Sequence, residues 1–348
     1  MSGDKVLVAL SGGTQSTVTA WLLKKQGMQV RGVYFDFYGK PNTQDILSQY
    51  ERKLGFSIQL VNVKEQIEKL LLAELTDSLL AGQIPNIKQT FHQKFLLPAL
   101  FDLKGLQFQK VAAGYRVLLQ NDSVNNIVRV NRYPEPELDE AVLLVGLNPQ
   151  QIGSMELPLG GIPNSMTQKI ADELQLYEEG KVLQTDWRAL EDALSERVKV
   201  DVSKHAEVVG KGGERIGATE DFTQIKLTSS FPDPQDPKLL YTVWDIDPST
   251  RKITVGKKEL RKVKEIHLKD ASWFARADLG FETLSCNMAW NLKMKPVPVK
   301  ILQFEGNRLK AYFDQPLEGL AADIYNGQSV VWVIGSELLG GARVMSVL

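Results

Sequence analysis

Leu10-Ser11-Gly12-Gly13-Thr14-Gln15-Ser16-Thr17 is the stretch that decides the fold. It follows an apolar run, Val6 to Leu10, with the character of a buried strand. It precedes Val18 to Lys25, which reads as a helix with Ala20, Trp21, Leu22 and Leu23 as its apolar part. A turn of small residues between strand and helix aims several backbone N–H groups at one point, and the helix start adds partial positive charge there. Gly12 and Gly13 permit close approach to the backbone, while Ser11, Ser16 and Thr17 add hydroxyls. That combination suits a phosphate. It lacks the spacing and the lysine of a Walker A loop, and it is not Gly-x-Gly-x-x-Gly. The plain structural alternative is a strand–turn–helix with a serine N-cap.

Composition narrows the class. At 348 residues, 43% apolar and 24% charged, the chain has the make-up of a soluble globular protein with room for two or three domains. No apolar run nears a membrane span; the longest clear one is Ala141 to Leu147. The start, Met1-Ser2-Gly3-Asp4, has neither the basic nor the apolar region of a signal peptide. A single cysteine, Cys286, excludes an intrachain disulfide framework. These features predict a cytoplasmic protein with no membrane association. The net charge of −1 implies no global attraction to nucleic acid, so any such contact would rest on a local basic patch.

Outward from the loop, strand signals at Val30 to Phe37, Ser57 to Val63 and Val111 to Ala113 alternate with helical ones. The helices are Asp45 to Leu54, Glu65 to Leu80 and Phe95 to Leu103. This order predicts a parallel sheet covered on both faces, with ligands beyond the strands' C-terminal ends. Ser11 to Ser16, Tyr34 to Asp36 and Gly114 to Arg116 all fall there. Helices over Thr167 to Leu176 and Asp186 to Arg197 close an α/β domain spanning 1–203. From Glu207 onward the chain turns to short strands such as Leu240 to Ile246, Lys252 to Val255, Val297 to Phe304 and Ser329 to Ile334. Turns such as Asp247-Pro248 and Asn326-Gly327 separate them. Two small all-β domains are expected, 204–276 and 277–348.

The Ser11 to Thr17 loop resembles the Ser-Gly-Gly-x-Asp-Ser loop of the N-type ATP pyrophosphatases, the PP-loop enzymes, which adenylate a substrate oxygen and release pyrophosphate. Gln15 stands where they usually carry Asp. Further matches come in order: Gly32-Val33-Tyr34-Phe35, Ile84-Pro85-Asn86, Ala112-Ala113-Gly114-Tyr115 and Leu157-Pro158-Leu159-Gly160. Then follow Val243-Trp244-Asp245-Ile246-Asp247-Pro248, Lys295-Pro296-Val297-Pro298-Val299 and Asn326-Gly327-Gln328-Ser329. Together, over nearly the whole chain, they resemble the tRNA-specific 2-thiouridylase family. The resemblance implies a PP-loop domain, a small central β domain that helps dock tRNA, and a C-terminal β-barrel. It implies ATP-dependent replacement of the C2 oxygen of the anticodon wobble uridine by sulfur. The ATP site would comprise Ser11, Gly12, Gly13, Thr14, Gln15, Ser16 and Thr17, with Phe35 and Gly114 bordering the adenosine. Mg²⁺ would be held weakly, because Gln15 offers no carboxylate to a hard cation.

The family's mechanism uses two cysteines, one in a Pro-Asn-Pro-x-x-x-Cys-Asn stretch and one in an Asp-Ser-x-Gly-Ile-Cys-Phe stretch. One carries a persulfide and the other helps release it. Here the first position falls on Phe91, beside His92, and the second within Val182 to Trp187; neither is cysteine. Cys286 reads as a small apolar core residue. The family's Lys-Asp-Gln-Ser segment appears as Leu138-Asp139-Glu140-Ala141. Two functions therefore stand: a tRNA-modifying enzyme fed by an external sulfur donor, or a non-catalytic paralogue that binds nucleotide or tRNA.

Between Arg251 and Lys269 lie eight cations against Glu259 and Glu265. Lys257, Lys258, Arg261 and Lys262, with Lys293 further on, are the candidate RNA contacts; a solvated face is the alternative. Gly210-Lys211-Gly212-Gly213 reads as a phosphate cradle or a loose turn. His92, His205 and His267 lack metal spacing, so no metal centre is expected. The acidic run Glu135, Glu137, Asp139 and Glu140 reads as solvated.

Overall fold

The computed structural model describes residues 3–348 except 38, 40–41, 176–182, 199–204, 223–224, 226, 234–235, 237, 258–259, 275–282, 291–294, 306–307 and 319–322. Lys5–Ala9 forms β1, and the quoted loop joins it to α1 (Thr14–Lys25). There follow β2 (Gln29–Asp36), α2 (Thr43–Leu54), β3 (Ile58–Asn62), α3 (Lys64–Leu80) and β4 (Lys110–Ala112). With β7 (Met155–Glu156) these strands make a parallel sheet of order β3-β2-β1-β4-β7. Every residue of β1 after Lys5 is buried, as a central strand covered on both faces requires. Its side chains alternate between two cores. Leu7 and Ala9 join Val33, Phe35, Ile67 and Leu71 on the α3 side, while Val6 and Val8 join Tyr34, Leu23, Leu47 and Tyr50 on the side of α1 and α2. Beyond α3 the chain runs through a short helix at Ile87–Thr90, a π-helical turn at Phe91–Leu96 and a helix at Leu97–Lys104. Helices at Asn164–Leu174 and Trp187–Ser195 complete this part.

The middle of the chain is a curled sheet. Its strands are β8 (Ala206–Gly210), β9 (Arg215–Thr219), β10 (Ser230–Pro232), β11 (Leu240–Asp247) and β12 (Lys252–Gly256), in the order β10-β11-β12-β8-β9. The last part is a closed barrel of β13 (Lys262–Trp273), β14 (Thr283–Ala289), β15 (Val297–Glu305), β16 (Arg308–Glu318), β17 (Ser329–Ile334) and β18 (Glu337–Val347), closed by β13 pairing with β18. Thus α/β followed by two β units holds. The sequence pattern places Lys262 to Trp273 in the central unit, whereas these residues hydrogen-bond to β16 and β18 in the barrel. The partner strands come tens of residues later, which is why the pairing is invisible locally.

Two further features tie the barrel to the α/β part. The hairpin β5 (Leu118–Asp122) and β6 (Ile127–Asn131) joins the barrel sheet, with Val130 opposite Leu338. Glu74 of α3, 5% exposed, meets Arg343 of β18 and Lys94 at 3.0 Å. Burial works against its charge, but the two cations outweigh burial and hold the carboxyl below its ordinary range.

Candidate nucleotide-binding site

The Ser11 to Thr17 turn is supported by its own hydroxyls. Ser16 Oγ accepts from the Ser11 amide at 3.1 Å and donates to the Gly13 carbonyl at 3.1 Å. The Gly13 amide donates to Ser11 Oγ at 3.3 Å. Gly12 sits at φ +73°, a conformation that favours glycine, and its carbonyl accepts from the buried Tyr50 hydroxyl at 3.1 Å. Gly13 caps α1 without any side-chain hydrogen bond, so the first-turn N–H groups of the helix keep their donor capacity. The Thr17 hydroxyl is buried and has no partner among the described residues. A turn with open amides, helix-end polarity and an unsatisfied hydroxyl is equipped to receive an anion.

Neighbouring segments frame the loop. Gly114 packs on its backbone: a Cβ there would lie 2.5 Å from the Ser16 amide nitrogen. Its role is therefore to let the strand end and the loop approach each other. Phe35 is buried in the sheet core with its ring edge-on to Phe95, centroids 5.6 Å apart. Gln15 donates to Glu140 Oε2 at 2.7 Å, and the same oxygen accepts from the Arg116 amide at 3.0 Å. The acidic run thus splits in role. Asp139 is buried and accepts from the Tyr133 and Ala141 amides at 3.3 and 2.9 Å; burial raises its pKa despite those bonds and Arg132. Glu140 turns to the Ser11 to Thr17 loop. Neither contact is legible in the sequence.

The first position that resemblance assigns to a thiol, Phe91, packs against Trp187, the last residue of the stretch that holds the second. Phe91 and Trp187 have ring centroids 5.0 Å apart, and Phe37, Phe95 and His92 pack around them. Val182 lies outside the described residues. His92 Nδ1 meets the Tyr115 hydroxyl at 2.7 Å. Burial, aided by Lys88, pushes His92 down to about 3, and burial with the Glu140 charge pushes Tyr115 well above its usual value. Both groups are neutral at pH 7. Cys286 is far away in sequence, buried in the barrel core on β14, and burial pushes its thiol up to about 12. It is not a nucleophile at neutral pH.

The basic segment divides. Lys257 is exposed, and Lys262 is exposed while pairing with Glu318 at 2.6 Å. Arg261 is not available to a phosphate backbone: it is 6% exposed, with its guanidinium 3.8 Å from the Tyr325 ring centroid. Lys258 and Lys293 lie outside the described residues. The Gly210 to Gly213 stretch is the turn between β8 and β9, with the Glu214 carboxylate lying against Gly210 and Gly212. A carboxylate there does not make an anion cradle. Among the described residues no group of three or more His, Cys, Asp or Glu is arranged to hold a metal, and no helix is long and apolar enough to cross a membrane.

Residues 4–182 match the family described as the tRNA methyl transferase HUP domain, and 263–344 match the aminomethyltransferase β-barrel domain. The chain belongs to the tRNA methyl transferase HUP family. Within it, the chain is of the tRNA 2-thiouridylase type. It is 25% identical over 334 residues to the tRNA-specific 2-thiouridylase MnmA of Campylobacter jejuni strain RM1221, covering 91% of this chain and 94% of that relative. With the same enzyme of Geobacter metallireducens it shares 26% over 369 residues, covering 97% and 95%. Among solved structures, a 4-thiouridine synthetase–RNA complex with bound ATP aligns with TM-score 0.37 and 14% identity, covering 56% of this chain and 50% of that one. A predicted tRNA methyltransferase subunit from Methanocaldococcus jannaschii aligns with TM-score 0.33 and 22% identity, covering 49% and 75%.

Proposed function

We propose that this family member is an ATP-dependent tRNA-thiolating protein that draws sulfur from an external donor. ATP binds at Ser11 to Thr17, and the wobble uridine of a tRNA is presented to it from the side of the aromatic cluster. The uridine C2 oxygen attacks the α-phosphorus as the N3 proton leaves, and pyrophosphate departs. Hydrosulfide then adds at C2 and AMP leaves, giving 2-thiouridine. Neither step requires a protein thiol; both require positioning and hydrogen-bond donors at the phosphate. Lys257 and Lys262, with Lys258 and Lys293, supply tRNA backbone contacts, and the work is done in the cytoplasm.

The observation that carries this reading is the phosphate turn. It is held by Ser16, Gly13 and Tyr50, and the first turn of α1 beside it has no side-chain cap. One observation favours a second reading, a non-catalytic paralogue: Phe91, at the position of the first relay thiol, is locked in an aromatic contact with Trp187. Nucleoside mass spectrometry of tRNA from cells with and without the gene separates the two. Loss of a 2-thiolated wobble uridine on deletion supports the enzyme. An unchanged nucleoside profile, with purified protein still binding tRNA or ATP, selects the paralogue.

A further inference from the structure

The phosphate turn itself, Ser11 to Thr17, contains no acidic side chain. One carboxylate nevertheless reaches it from another part of the chain. Glu140 Oε2 is fixed by two donors, the Gln15 amide at 2.7 Å and the Arg116 backbone N–H at 3.0 Å. The backbones of Arg116 and Glu140 are joined as well, the Glu140 N–H donating to the Arg116 carbonyl at 3.3 Å. Both bonds fall on one oxygen, and among the described residues Oε1 keeps its lone pairs. At the same turn the Thr17 hydroxyl, 4% exposed, lacks a partner. A bound triphosphate brings Mg²⁺ to such a place, and Mg²⁺ takes one or two carboxylates beside phosphate oxygens and waters. The donor set fits that demand with one carboxylate and one hydroxyl.

We propose that Glu140, held by Gln15, is the carboxylate that serves the cation of Mg·ATP in this chain. Position 15 has become the holder and position 140 the charge. The resembling Lys-Asp-Gln-Ser segment has an amide where Glu140 stands, and the resembling loop has an acid where Gln15 stands. The pair has thus exchanged chemistry while the site keeps one negative charge. Glu140 also lies within electrostatic reach of Tyr115, so the same carboxylate borders both the phosphate turn and the His92–Tyr115 pair.

This inference rests on the ATP reading above, and calorimetry tells their failures apart. ATP is titrated into the full chain with and without Mg²⁺, for the native protein, Glu140→Gln, Glu140→Asp, Gln15→Ala and Gln15→Asp/Glu140→Gln. The native chain should bind ATP about tenfold more tightly with Mg²⁺, the scale of one charge-assisted contact. Glu140→Gln should reduce that ratio to near one while binding metal-free ATP at least as well, since a charge that repels the triphosphate is gone. Gln15→Ala keeps the carboxylate and should retain most of the ratio. The double variant should regain it, because the carboxylate returns on the other side of the pair. If Glu140→Gln does not fold, Glu140→Asp carries the test, with a ratio between those of Gln15→Ala and one. ATP binding with an unaltered Mg²⁺ ratio in Glu140→Gln, or in Glu140→Asp if that variant carries the test, would overturn the assignment of Glu140 and leave the ATP reading standing. No ATP binding by the native chain under either condition would overturn both.

Discussion

The phosphate turn and the aromatic cluster adjoin the same parallel sheet, yet one is built from backbone and the other from side chains. The turn rests on a glycine at φ +73°, on hydroxyls that tie the loop to itself, and on a helix end. These are geometric requirements that many sequences meet, and this chain meets them. In the cluster, the relay chemistry of the resembling family depends on two sulfur atoms, which no other side chain replaces. There the chain places Phe91 against Trp187 and a neutral His92 against Tyr115. The difference separates the two halves of a thiolation reaction. In the proposed function, activation of the oxygen rests on the backbone geometry, and the sulfur comes from a donor outside the chain.

Four variants test that contrast. If the cluster is packed core as well as site wall, Phe91→Ala should cost about 3–5 kcal/mol of stability, read from urea denaturation. A loss under about 1 kcal/mol would show that the ring fills nothing. Gly114→Ala forces a methyl onto the Ser16 amide and should cost about 1–3 kcal/mol while weakening ATP binding. Unchanged affinity in calorimetry would mean that the turn tolerates displacement. His92 is held at about 3 against an ordinary value near 6.5, so between those pH values the unfolded chain binds more protons. Stability should therefore fall as pH is lowered through that window, by about 1.4 kcal/mol per pH unit from this one group, and His92→Leu should remove that slope. Lys257→Gln with Lys262→Gln should flatten the dependence of log Kobs for tRNA on log salt by about 1 to 2, measured by filter binding. An unaltered slope would make these lysines a solvated face.

What the sequence revealed follows the range of the interactions. The strand, turn and helix around Gly12 are contiguous, so their pattern was legible, as was the change from alternating βα to short strands after Glu207. The pairing of β13 with β16 and β18 was not, because a strand's alternation shows that it is a strand and not which strands flank it. Arg261 read as a surface cation since the ring that covers it, Tyr325, is remote in sequence. The aromatic cluster joins residues from Phe37 to Trp187, and the Gln15–Glu140 bond spans most of the α/β part. No local pattern signals either. Motif departures at positions 15 and 140 were visible one at a time; only the fold shows that they touch.

In the proposed function this chain activates uridine without a thiol of its own, and one reaction tests that directly. Purified native protein and Cys286→Ser are each incubated with ATP, Mg²⁺, unmodified tRNA and sodium sulfide, and the digested tRNA is assayed for 2-thiouridine by mass spectrometry. ATP-dependent 2-thiouridine should form in equal amounts with both proteins, because the buried Cys286 takes no part. Thiolation by the native chain that vanishes in Cys286→Ser would contradict it, and so would a native chain that binds ATP and tRNA yet forms no 2-thiouridine.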